Sequence, residues 1–209
     1  MIRWCFSFFL LAPWMLAHAD PDLVTRLLRQ DATPAHFDFC HGGGCVAVEA
    51  VSLREADWDE VEALFSHVPD DADEERARIA DAIGLLEFFV GRVTGTSNDV
   101  GGTFEGFGMP GQLDCIDEST NTTNYLKMLR NRGLLRFHEV GDTHTRGYFL
   151  NGWPHTAASV RETGSKAVYI VDSWFYDNGE PAVILPLQRW QDGWKPDASA
   201  PALPPLSED

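Results

Sequence analysis

Three residue types that can do chemistry together stand in the second half of the chain. Cys115 ends the run Gly111-Gln112-Leu113-Asp114-Cys115, where a glycine-rich loop gives way to a helical pattern. A helix N-terminus carries about half a positive charge, which favours thiolate over thiol. A thiolate nucleophile also needs a base, and the base needs an orienting group. His155 opens one apolar segment and Asp172 closes the next, with the turn signal Thr163-Gly164-Ser165 between them. Two antiparallel strands joined by that turn bring the ends bearing His155 and Asp172 together. Cys115 is thus the candidate nucleophile, His155 its base and Asp172 the orienting partner. Gln112, three residues before the cysteine, is a candidate oxyanion donor, with an ordinary loop residue as the plainer reading.

Asp114, Asp117 and Glu118 surround Cys115 and pull the other way, because negative neighbours raise a thiol's pKa. Asp114 has the type and position of an N-cap, with Asp117 near N3, and a capping carboxylate is already compensated by backbone N–H groups. The expectation is that helix and imidazole prevail and shift Cys115 toward thiolate. The competing reading makes Cys115 a buried small residue or a disulfide partner of Cys40 or Cys45. His138, read as structural, and His144, in a polar turn, are the substitutes for His155 if the strand order differs. Asn121-Thr122-Thr123 matches a glycosylation sequon but falls inside a predicted helix and is discounted.

The elements that must position these groups follow from periodicity. Residues 22–30 and 57–67 read as helices, and a third runs from the acids Asp70, Asp71, Asp73, Glu74 and Glu75 to a stop at Gly95. Its apolar residues, Ile79, Ile83, Leu86, Val90 and Val93, recur every three or four positions. Those acids suit the positive end of a helix; they do not form an EF-hand calcium loop. Six glycines between Gly95 and Gly111 mark a loop, without the Gly-Lys-Ser/Thr ending of a phosphate-binding loop. A helix over 115–132 stops at Gly133. Strands are predicted over 134–140, 147–150, 155–162, 167–172 and 183–187. Helices first and an antiparallel sheet after is an α+β order.

From Gly111 to Trp174 this arrangement resembles the transglutaminase-like branch of the papain-like superfamily, which includes bacterial transglutaminase-like cysteine proteinases. In that family a cysteine at a helix start is followed by a histidine and an aspartate on successive strands of an antiparallel sheet. The matching positions are Cys115, His155 and Asp172; Thr156-Ala157 stand where an aromatic often follows the histidine in transglutaminase relatives. The resemblance implies a papain-like core and a cysteine hydrolase acting on peptide or isopeptide bonds, with hydrolysis and amide transfer sharing one acyl-enzyme step. The rest of the chain looks like an uncharacterised family of exported proteins. A non-catalytic binding protein keeping the same fold is the alternative, and the acids around Cys115 favour it. Metal hydrolysis ranks third, since His41, His138, His144 and His155 include no His-Glu-x-x-His motif. The reading calls for no cofactor and no metal.

Composition bounds the rest. The 209 residues are 44% hydrophobic and carry 16 Lys+Arg against 32 Asp+Glu, a formal net charge of −16. That is enough apolar material for one core, and too much negative charge for a nucleic-acid or anionic-lipid surface. Arg3, the apolar run from Trp4 to Leu16 and Ala17-His18-Ala19 have the form of a cleavable signal peptide over 1–19. Export after cleavage implies periplasm or medium, no membrane contact in the mature protein, and a peptide or protein substrate met there. Residues 20–195 then form a single domain, helical over 20–94 with the cysteine helix and sheet over 111–190, and 196–209 a proline-rich flexible tail. Of the three cysteines left after cleavage, Cys40 and Cys45 bracket His41-Gly42-Gly43-Gly44, a loop suited to a disulfide in an oxidising compartment. A metal site at His41 is the weaker rival.

Overall fold

The computed structural model describes residues 20–103, 109–147 and 154–197. The expected signal peptide, residues 148–150 of the strand expected at 147–150, nearly all of the proline-rich tail, and Gly106 and Gly108 lie outside them. Among the described residues no helix is long and apolar enough to cross a membrane.

The chain is a mixture of helix and antiparallel sheet, but the helices do not all come first. Helix α1 (Pro21–Arg29) leads into a hairpin of β1 (Phe37–His41) and β2 (Ala47–Val51), paired with His41 opposite Ala47. The tight loop expected between the cysteines is present, flanked by two strands that the sequence did not suggest. Its turn needs left-handed backbone at Gly42, Gly43, Gly44 and Cys45, and three of those four positions are glycine. Helix α2 (Glu55–Ala63) follows, then α3 (Ala72–Thr94). The acids at the start of α3 act as caps: Asp71 accepts from Glu74 N, and Glu74 Oε2 accepts from Asp70 N. Gly95 ends α3 in the left-handed conformation, φ 76°. Val93, placed by periodicity on the apolar face, is exposed; Ile79, Ile83, Leu86 and Val90 are buried in the main core.

Helix α4 (Cys115–Asn131) runs through the middle of the molecule, and fourteen of its residues are buried. It packs on β1, α1, α3 and the second sheet, so its polar residues must find partners on every side. That sheet has β3 (His138–Val140), β5 (His155–Glu162), β6 (Val168–Asp172) and β7 (Val183–Pro186) in the order β3-β5-β6-β7. β4 (His144–Arg146) pairs with the first residues of β5, where the sequence suggested only a polar turn. The main core lies between α3, α4 and one face of the sheet. On the other face Ala157, Ile170 and Leu185 pack against Trp190 of the short helix α5 (Leu187–Gln191).

Candidate active site around Cys115

The cysteine stands at the first turn of α4, and its acidic neighbours have separate employment. Asp114 is the N-cap: its Oδ1 accepts from Ile116 N and Asp117 N, each at 2.9 Å. Asp117 completes a capping box by accepting from Asp114 N at 3.2 Å. The Asp117 carboxylate also receives Gly43 N and Cys45 N at 2.7 Å each, so it fastens the hairpin turn to the start of α4. Burial, then the charge of Asp114, pushes Asp117 up to about 7. Asn121, one turn on, bonds both backbone groups of Cys40 at 2.8 Å and is buried, so the sequon asparagine is engaged inside the fold. Cys40 and Cys45 form a disulfide, and Cys115 is a free, buried thiol.

The strand register explains how His155 and Asp172 meet. Ala158 pairs with Val171, which sets Asp172 level with Ala157 and on the same face as His155. His155 Nε2 lies 2.7 Å from Asp172 Oδ2, and both side chains are buried. Trp190 Nε1 donates to the same oxygen at 2.7 Å. The imidazole is enclosed by Trp174, Phe175 and Trp190, with ring centroids 4.7, 5.4 and 5.6 Å away. Its other nitrogen, Nδ1, is buried without a hydrogen-bond partner. No hydrogen bond therefore joins His155 to Cys115. A link runs through the next residue, since the Thr156 backbone N–H reaches the Cys115 sulfur.

The resting thiol differs from the sequence expectation. Burial pushes Cys115 up to about 12, and the charges of Asp114 and Asp172 add to the rise. The Thr156 and Cys115 N–H groups oppose it without overcoming it. The reason is desolvation: a thiolate in a largely closed site loses more hydration than one helix start and two amides replace.

The other sequence candidates lie elsewhere. Gln112 Nε2 donates to Asn98 O at 2.6 Å and its Oε1 accepts from Val100 N at 3.2 Å, so its amide braces residues 98–100. His138 is buried, with Nδ1 2.8 Å from Glu75 Oε1 and Nε2 3.0 Å from Arg76 Nη1, a structural role. His144 opens β4, and His41 Nε2 is 4.0 Å from Glu49 on the hairpin. Two groups close to the site were not anticipated. Trp190 belongs to a five-residue helix with no sequence signature of its role. Arg146, opposite His155 in the register, donates to Trp190 O and stacks over the Trp190 and Phe175 rings. No protein-family model, curated protein or solved structure matches this chain.

Proposed function

We propose that this protein is an exported cysteine hydrolase of the transglutaminase-like type, cutting peptide or isopeptide amides with Cys115, His155 and Asp172. One observation carries the reading: Asp172 holds one nitrogen of a buried histidine and leaves the other, Nδ1, unpartnered at the strand end whose next N–H reaches the Cys115 sulfur. An orphaned buried nitrogen has a cost, and a proton-accepting task accounts for it. In the reaction the sulfur bonds to the substrate carbonyl carbon while its proton passes to His155 Nδ1, and the carbonyl electrons move to oxygen. Collapse breaks the C–N bond, the imidazolium proton leaves with the amine, and water or a second amine then opens the thioester. The Thr156 and Cys115 N–H groups, which meet the sulfur at rest, then serve as the donors for the developing oxyanion. The Cys40–Cys45 disulfide suits an oxidising compartment outside the cytoplasm.

The raised thiol favours a second reading, a non-catalytic binding protein with the same fold. Alkylation of Cys115 by iodoacetamide across pH 5 to 11 separates the two. Catalysis predicts a labelling limb between pH 6 and 8 that His155→Ala removes. A rate that only climbs above pH 10, indifferent to His155→Ala, would overturn the hydrolase.

A further inference from the structure

Below the candidate site lies a second buried polar group, built around Glu118 and reaching elements that sequence proximity alone does not bring to it. Glu118 is one turn along α4 from Cys115, and Glu87 faces it from α3; both are buried. Ser173, which directly follows Asp172, donates from Oγ to Glu118 Oε2 at 2.6 Å. Thr122 Oγ1, four residues beyond Glu118, is 3.0 Å from Ser173 Oγ. Since the serine proton is committed to Glu118, the threonine is the donor of that second bond. A directed chain thus runs from Thr122 through Ser173 to Glu118, and the Glu118 and Glu87 carboxyls bond to one another.

We propose that Glu118, paired with the buried Glu87 carboxyl, is a positioning residue that ties Ser173, and with it Asp172, to the helix carrying Cys115. This deepens the hydrolase reading and rests on it for its catalytic meaning. The geometry explains why a buried acid is used here. α3, α4 and the end of β6 converge at one point, and a protonated carboxyl pair can donate between the helices while accepting from the serine. A single ionised carboxylate could only accept. Burial raises both carboxyls, with Glu87 brought up to about 8, so the pair retains a proton at neutral pH. The titratable groups facing the pair are Asp99, in the turn after α3, and Tyr125 on α4. Neither brings a positive charge, so losing the shared proton sets two carboxylates against each other. The Glu87 carboxyl also meets Ser173 and the Gly179 N–H, so the serine is held from both helices.

The test uses the full chain without its first nineteen residues and two readouts. The first is the low-field NMR resonance of the His155 Nε2 proton shared with Asp172, which needs no catalysis. The second is the pH profile of Cys115 alkylation. Glu118→Gln keeps an acceptor for Ser173 and a donor for Glu87, so it should keep the resonance and carry it to higher pH than wild type. Glu118→Ala and Ser173→Ala should broaden or abolish the resonance and slow alkylation, by up to about a hundredfold where misplacement is complete. A resonance that survives in Ser173→Ala overturns the proposal, as does an alkaline limb identical in wild type and Glu118→Gln. If alkylation proves independent of His155 while the resonance responds as stated, the positioning role stands and the hydrolase falls.

Discussion

The Trp190 indole N–H donates to Asp172 Oδ2 at 2.7 Å, and that same oxygen lies 2.7 Å from His155 Nε2. One carboxylate oxygen therefore takes two donors in a buried site, and the indole fixes the carboxylate that fixes the imidazole. Trp190→Phe keeps the ring packing and removes the donor. It should lower stability by about 1–2 kcal/mol in chemical denaturation. Unchanged stability would mean that water replaces the indole without loss.

Asp114 serves the helix and opposes the thiolate at once. Asn caps a helix about as well as Asp and brings no charge. Asp114→Asn should leave the melting temperature nearly unchanged and lower the Cys115 pKa. The alkylation rate at pH 8 should then rise, up to about tenfold for one unit. No change in rate would show that burial alone holds the thiol up.

Buried acids should govern stability across the neutral range. Burial raises Asp99 to about 6, Asp117 to about 7, Glu87 to about 8, and Glu118 above its ordinary range. The folded chain holds protons there that the unfolded chain has released, so stability falls as pH rises. The window runs from the ordinary carboxyl range, about 4, to about 8. Glu62, held low by Arg132, Glu74, held low by the Asp70 amide and Arg78, and Glu162, held low by the Ser165 hydroxyl and Arg76, act in the opposite sense and only in more acid solution. The melting temperature should fall steadily between pH 5 and 8, and Glu87→Gln should flatten the upper part of that fall. A melting temperature rising through the window would contradict this account.

Mass spectrometry without reduction should find Cys40 and Cys45 together two hydrogens light, with Cys115 free. Closing so short a loop contributes about 2 kcal/mol. Cys40→Ser with Cys45→Ser should cost at least that much, because the turn also presents two N–H groups to Asp117. A melting temperature unmoved by the double change would mean that the turn holds its shape unaided.

What could be read from the sequence was local. The cap at Asp114, the stop at Gly95 and the bounds of β5 depend on neighbours in the chain, and each appears as expected. His155 and Asp172 could be paired in advance because strand ends and a turn signal fix a register. The hairpin could not, since Gln30 and Asn121 hold β1 from distant positions. Trp190 and Glu118 acquire their roles only through residues 18 and 55 positions away. Cys115 illustrates the limit most clearly: its helix start was legible and burial stood as the competing reading, but which of the two prevails depends on packing from distant strands.

The short bridge also decides which thiol survives oxidation. In an oxidising solution Cys40, Cys45 and Cys115 can pair with one another in three ways, and two of those consume Cys115. Cys40 and Cys45 are 5 residues apart, with flexible glycines between them. Contact between Cys40 and Cys115 must close about 75 residues, which chain statistics make on the order of fiftyfold less frequent. Loop closure therefore favours oxidation of the neighbouring pair first. A triplet of glycines about seventy residues earlier in the chain thereby favours the pairing that leaves Cys115 free.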